Sequence, residues 1–298
     1  MRRERLWRTA SLPRRPQRQR PRKRQKLRKS PKKRKTVTRR RPGRQTRKTT
    51  AKRRSRRRNT TVQRGRSALN DLFFEDIREN AERIRENAAR AMADAGRNNV
   101  RIMAVTKTVP CERVNFAAGL GFTLLGENRV QEYLEKRDMY AEGTDVHFIG
   151  HLQRNKVKYI ADSVSMIHSV DSIKLAEDIS RHCAARSRVM DILFEVNIGG
   201  EASKSGFAPD EVTDAAYIAA QLEGVRLMGI MVIPPRENSA GYFEKSRRLF
   251  EDLKAEKIQG TDITELSMGM SADYAEAIRS GSTIVRIGSA LFGARSYK

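Results

Sequence analysis

The sequence predicts a (β/α)8 TIM barrel preceded by a disordered basic N-terminal tail. Two observations carry that reading. Charge and apolar content both change abruptly near residue 67, and from there eight short apolar runs alternate with segments of helical period. The domain boundaries that follow are a Lys/Arg-rich tail over 1–66 and a barrel over 67–298.

The tail comes first in the chain. Of 62 Lys and Arg in 298 residues, 32 lie in 1–66 beside a single acid, Glu4, and the remaining residues hold 30 basic against 34 acidic side chains. The formal net charge of +27 therefore describes the tail, while the body is mildly acidic. Residues 1–66 carry few apolar side chains and five prolines, too little to offset chain entropy and self-repulsion by burial. Three readings of the tail stay open. It is an electrostatic nucleic-acid arm, a solvated charge run, or the product of a translation start placed too far upstream. Trp7 is its only aromatic residue, so base stacking and sequence specificity are not implied.

The body opens with a helix. Asn70 is a suitable N-cap, Leu72, Phe73, Ile77, Ala81, Ile84 and Ala88 follow at helical spacing, and Gly96 ends it. Residues 100–106 (VRIMAVT) form a short apolar run suited to a buried parallel strand, and Pro110 starts the next helix at a position that tolerates it. Further runs lie at 123–125, 147–149, 166–168, 191–197, 227–233, 263–266 and 284–287, with helical segments such as 171–185 and 241–255 between them. Eight units in this length suit a closed barrel better than an open sheet.

Composition narrows the classes of function. Cys111 and Cys183 make no disulfide framework and have no metal-ligand spacing, which fits a reducing, cytoplasmic compartment. No apolar run approaches membrane-spanning length, so no membrane partner is expected.

In a barrel of this kind functional groups gather at the C-terminal ends of the strands. Alternation puts Met103, Val105 and Lys107 on one face, with Lys107 at the mouth. Burial among apolar neighbours disfavours the charged amine and makes it a nucleophile for a carbonyl, although a lone strand-end lysine more often just reaches solvent. The segment 267–271 (SMGMS) follows the seventh run, and 286–289 (RIGS) ends the eighth. Hydroxyl residues beside glycines bring backbone N–H groups to a phosphate, and loops after strands 7 and 8 are the usual phosphate site of this fold. Together with Lys107 they describe a site for a phosphorylated aldehyde held as a Schiff base. Arg286 faces away from Val285 and Ile287 and so points inward. Against a pyridine nitrogen it would keep that nitrogen unprotonated, because arginine does not give up its proton.

Six segments then match a known family. Residues 104–108 (AVTKT), 126–132 (GENRVQE), 147–156 (HFIGHLQRNK), 197–206 (NIGGEASKSG), 266–271 (LSMGMS) and 285–295 (VRIGSALFGAR) occur in order. The chain from about residue 70 onward resembles the pyridoxal phosphate homeostasis proteins, which are related to the N-terminal barrel of alanine racemase. The resemblance implies a barrel carrying pyridoxal 5′-phosphate (PLP), with Lys107 as the Schiff-base lysine. It also implies phosphate contacts from Ser267, Gly288 and Ser289 and a pyridine contact from Arg286. Asn128 and His147 fall in family motifs, with helix capping an alternative for Asn128. Lys204 is implied as a secondary aldehyde or phosphate contact, with a solvated loop lysine as the alternative. Ser289 stands where threonine is common in the family, and His151 occupies a variable position.

A racemase needs two positioned bases, and in alanine racemases the second is a tyrosine from an additional β-domain. Only nine residues follow Ser289 here, and Tyr297 sits among the last of them. The expectation is a PLP-binding protein in vitamin B6 homeostasis, monomeric and without robust turnover, that either buffers the cofactor or delivers it to PLP-dependent apo-enzymes. A weak racemase-like PLP enzyme and tail-driven nucleic-acid binding are the alternatives.

Overall fold

The first described helix shows how the sequence places its elements. In α1 (Glu75–Asp94) the side chains of Ile77, Ala81, Ile84, Ala88 and Ala91 recur every three or four residues and are buried along one face. Glu75 and Asp76 occupy the first turn, where the positive end of the helix dipole favours acids. The helix closes as expected at Gly96. That residue has φ +62°, its N–H reaches Ala93 O at 3.1 Å, and the N–H of Arg97 reaches Met92 O at 2.8 Å. The computed structural model describes residues 74–294 apart from 202, 236 and 238. The predicted tail and the residues Asn70, Leu72 and Phe73 lie outside them.

After α1 strands and helices alternate without interruption. The order is β1 (Arg101–Val105), α2 (Cys111–Gly119), β2 (Leu124–Glu127), α3 (Val130–Lys136), β3 (Asp145–Phe148), α4 (Val157–Ile160), β4 (Met166–Val170) and α5 (Ile173–Ala184). It continues with β5 (Met190–Val196), α6 (Val212–Ala219), β6 (Val225–Val232), α7 (Ser239–Ala255), β7 (Glu265–Met270), α8 (Tyr274–Arg279), β8 (Ile284–Ile287) and α9 (Ser289–Phe292). Every neighbouring pair is parallel, and β1 pairs with β8, Met103 opposite Arg286, to close the barrel. All eight predicted strands are present, and the fold is the expected TIM barrel.

Strand alternation sorts the core into two shells. Ala104, Leu125, Val285 and Ile287 point outward and pack against α1 and its neighbours, while Phe148, Ile167, Ile192 and Phe194 do the same under α4 to α7. Met103, Val105, Leu124, Ile149 and Ile284 fill the barrel interior beside β1. Met166, Leu193, Met228 and Met231 fill it opposite. Burying each large aliphatic side chain contributes on the order of 1.5–3 kcal/mol, so the interior is a packed core and only its mouth is open. No helix among the described residues is long and apolar enough to cross a membrane.

The main departure from expectation is β7. The sequence places a strand at 263–266 and a loop at 267–271, whereas the strand runs Glu265–Met270. A bulge carries it on. The β7–β8 register slips between Ser267 and Met270, and Gly269 takes φ +89° where a Cβ would fall 2.4 Å from that of Ala277. Ser and Gly read as loop residues in isolation, but here the glycine permits the bulge and Ser267 remains inside the barrel.

Candidate functional site

A cavity of about 620 Å³ opens at the C-terminal mouth of the barrel, within the range of small-molecule sites. Lys107, Asn128, Ser271, Arg286, Gly288 and Ser289 line it, and Val105 and Ile149 supply apolar wall. Five of the seven residues expected from sequence are thereby brought together. Ser267 and Lys204 are placed elsewhere.

Lys107 is the second residue beyond β1 and is half-buried. The backbone turns sharply after it, since Thr108 has φ +62°, an outlier for a β-branched residue. Asn128 follows β2. It does not cap α3, whose N-cap is Arg129 and which has no side-chain cap bond. Instead its Oδ1 is buried with no hydrogen-bond partner among the described residues. A buried amide oxygen of that kind costs about 1–3 kcal/mol unless something in the cavity completes it. The backbone of Asn128 stands beside Gly150, where a Cβ would come within 2.0 Å of the Asn128 carbonyl oxygen. Gly150→Ala is therefore expected to cost about 1–3 kcal/mol by overpacking and to displace Asn128. Denaturant unfolding of the variant checks this, and wild-type stability would refute it.

The far wall comes from β7 to α9. Ser271 Oγ accepts the backbone N–H groups of Gly288 and Ala290, both at 3.1 Å, which gathers the first turn of α9 around one hydroxyl. Ser289 lies exposed at the start of that turn, and Gly288 has only Val105 atoms, 3.5 Å and beyond, near the position of a Cβ. The missing side chain thus leaves open space at the cavity wall. In this hydroxyl-and-amide corner Ser271 keeps its own proton to give, and with Ser289 it offers two hydroxyl donors to an anion such as a phosphate.

Arg286 is 4 % exposed. Its Nη1–H donates to Ser267 Oγ at 2.7 Å and its Nη2–H to Val232 O at 2.9 Å. Burial pulls the guanidinium down to about 10, against the opposing charges of Asp273 and Glu195, so it stays cationic at neutral pH. Ser267, expected at a phosphate, is fully buried in β7 and engaged with Arg286 instead. The hydroxyl in the expected place is that of Ser271.

Behind Ser267 runs a chain of polar groups that the sequence reading left without a role. His168 Nδ1 lies 3.1 Å from Ser267 Oγ, His168 Nε2 lies 2.9 Å from His147 Nδ1, and His147 Nε2 lies 3.4 Å from Asp145 Oδ2. One proton order satisfies all of them. Arg286 donates to Ser267, Ser267 to His168, His168 to His147, and His147 to Asp145. Burial, reinforced by the nearby positive groups, holds His168 well below the ordinary histidine range. The hydrogen bond from His147 holds the Asp145 carboxyl low. The signal for this chain was present, since histidines end or begin two of the apolar runs at inward positions.

That order has a consequence for acid stability. Below about pH 6.5 the unfolded chain binds a proton at His168 that the folded chain refuses. Stability from His168 is thus complete above that pH and declines as pH falls toward the depressed folded value. The loss of unfolding free energy between about pH 7.5 and 5.5 is expected to be smaller in His168→Gln than in the unchanged chain. Equal slopes would refute the assignment.

Lys204 lines a smaller neighbouring depression with Glu201, Pro234 and Pro235. It pairs with Glu201, and its Nζ donates to Ile233 O at 3.3 Å. Ile233 and Met270 border both spaces.

Known proteins bear on this geometry. The family model for the alanine racemase N-terminal domain matches residues 80–296. The pyridoxal phosphate homeostasis protein of Aquifex aeolicus is 40% identical over 226 residues, covering 74% of this chain and 98% of its own length. That of Pseudomonas aeruginosa is 42% identical over 228 residues, covering 74% and 96%. Among solved structures, PipY of Synechococcus elongatus PCC7942 with PLP bound is 30% identical with TM-score 0.61, covering 72% of this chain and all of its own.

Proposed function

The chain belongs to the pyridoxal phosphate homeostasis proteins, a family with the alanine racemase N-terminal barrel, and from that premise we propose that it holds pyridoxal 5′-phosphate at the barrel mouth with Lys107 as covalent anchor. Its role is to keep PLP available within the cell. The observation that carries the reading is the composition of one cavity: an amine, an unpartnered amide oxygen, a buried guanidinium and a hydroxyl-and-amide corner on a single wall. When bound, PLP supplies an aldehyde that condenses with a lysine amine, releasing one water, and a ring that can accept electrons.

The residues present fit that group. The hydroxyls of Ser271 and Ser289 beside Gly288 are set to take the phosphate, and Arg286 to face the ring nitrogen. Asn128 completes its hydrogen bonding on a ring substituent. Val105 and Ile149 exclude water from the ring. Ser267 acts through Arg286, which it orients. Lys204, paired with Glu201 outside the cavity lining, is reserved for a secondary contact at most.

Binding rather than turnover is the activity that this set supports. Arg286 keeps its own proton at neutral pH and has none to give a ring nitrogen, so the site is poorly built to stabilise negative charge on a substrate carbon. Release to PLP-dependent apo-enzymes by a monomeric cytosolic carrier follows from this reading. The two buried, unpaired cysteines support a reducing compartment.

The test is direct. The full chain, mixed with PLP, is expected to turn yellow and to lose that band on borohydride treatment, with the reduced adduct on residue 107. A chain that retains no colour once unbound PLP is removed, and takes no borohydride label, overturns the reading. Exchange of an amino acid α-hydrogen in heavy water, dependent on Lys107, would favour a PLP enzyme instead.

A further inference from the structure

The residues on either side of Lys107 are tied down from one helix. Lys136, at the last turn of α3, donates from Nζ to Thr106 O at 2.8 Å. Glu132, one turn earlier, accepts the N–H of Thr108 on Oε1 at 2.5 Å. The two side chains also pair with each other at 2.9 Å, and Lys136 meets the fully buried Glu127 at 2.7 Å. An ammonium has three N–H donors, and Thr106 O, Glu132 and Glu127 give Lys136 three acceptors. Glu127 Oε1 takes in addition the hydroxyl of Thr106 at 2.6 Å and that of Tyr140 at 2.5 Å. Its burial beside Glu127 pushes the Tyr140 phenol upward, so Tyr140 remains a donor.

None of these groups lines the cavity, yet all converge on a three-residue segment with Lys107 at its centre. The segment needs holding. A β-branched residue at φ +62° is strained, and Thr108 persists in that conformation only if its surroundings enforce it. The hydrogen bond from its N–H to Glu132 is such an enforcement, and the bond from Lys136 fixes the preceding carbonyl.

We propose that Glu132, Lys136 and Glu127 are positioning residues that clamp the backbone on both sides of Lys107 and so set where its Nζ meets the aldehyde carbon. The inference rests on the assignment of Lys107 as anchor. It separates two properties of the site, because the clamp governs bond formation at Lys107 while the opposite wall governs occupancy.

Two ligands read these properties apart in the full chain. PLP reports bond formation through its visible band and through borohydride labelling of residue 107. Pyridoxine 5′-phosphate, which bears an alcohol in place of the aldehyde, reports occupancy alone. In Glu132→Leu the rate of labelling at residue 107 is expected to fall about tenfold to a hundredfold, as for a small misplacement of a reacting atom, while pyridoxine 5′-phosphate binds as before. Labelling at the unchanged rate in a folded Glu132→Leu protein overturns the clamp. So does an equal loss of both ligands, which would make Glu132 a general structural residue. If that variant does not fold, the double variant Lys136→Met with Glu127→Gln decides by the same criteria, since it removes the buried pair together. Failure of the parent assignment looks different, because the unchanged chain would then show no band with PLP.

Discussion

Replacing Lys107 by alanine is expected to abolish both the visible band formed with PLP and the borohydride label, while leaving the barrel folded. The side chain is half-buried and belongs to neither apolar cluster of the barrel interior, to one of which β1 contributes Met103 and Val105. A stability change within about 1 kcal/mol is therefore expected, as for substitutions away from core packing. The loss in affinity is much larger, because a covalent link disappears and only the wall contacts remain. A weakening of at least about a hundredfold, near 3 kcal/mol, is expected from spectral titration or from the ligand-induced rise in unfolding midpoint. Lys107→Arg separates charge from chemistry. It keeps a cation at the mouth but offers no amine able to condense with an aldehyde, so it should bind PLP without a borohydride-trapped label on the chain. A yellow Lys107→Ala protein with its label on Lys204 would move the anchor to the neighbouring depression.

The barrel was legible because alternation survives in single residues. Val285 and Ile287 point outward and Arg286 inward, and that two-residue period alone places an arginine in the interior. The site was less legible where a residue's role depends on a bulge or on a partner far along the chain. Ser267 and Ser271 are four residues apart in one motif, and either could be the hydroxyl beside the Gly288 turn. Only the left-handed Gly269 decides that Ser267 goes inside to Arg286 and Ser271 goes to the mouth. Asn128 is another such case. Its position after β2 suits a helix cap, and the choice is made by Arg129, whose extended backbone takes the cap position and leaves the amide for the cavity. The clamp was hidden for a third reason. Glu127 ends β2 while Glu132 and Lys136 lie on the short α3, and their convergence becomes visible only once the segment after β1 lies against them.

Arg286 connects stability with binding in opposite directions. Among the described residues no carboxylate lies within ion-pair distance of it, and burial lowers its pKa to about 10. The folded chain thus holds the cation less favourably than the unfolded chain does. Arg286→Met keeps a long, flexible stem and removes the charge. It also leaves Ser267 Oγ and Val232 O without their donors, which costs about 1 kcal/mol for each lost hydrogen bond. The cofactor-free variant is thus expected to be as stable as the unchanged chain or more stable by about 1 kcal/mol, in line with the replacement of buried charge by packed apolar groups. The loaded variant is expected to show the reverse, a smaller PLP-induced rise in midpoint than the unchanged chain at the same ligand concentration. Denaturant unfolding with and without PLP measures both differences on one sample. Destabilisation of the cofactor-free protein by more than about 2 kcal/mol would instead make Arg286 a tie between β8 and β6. A gain without ligand combined with a loss with ligand is the pattern of a charge retained for binding, at some expense to the fold that buries it.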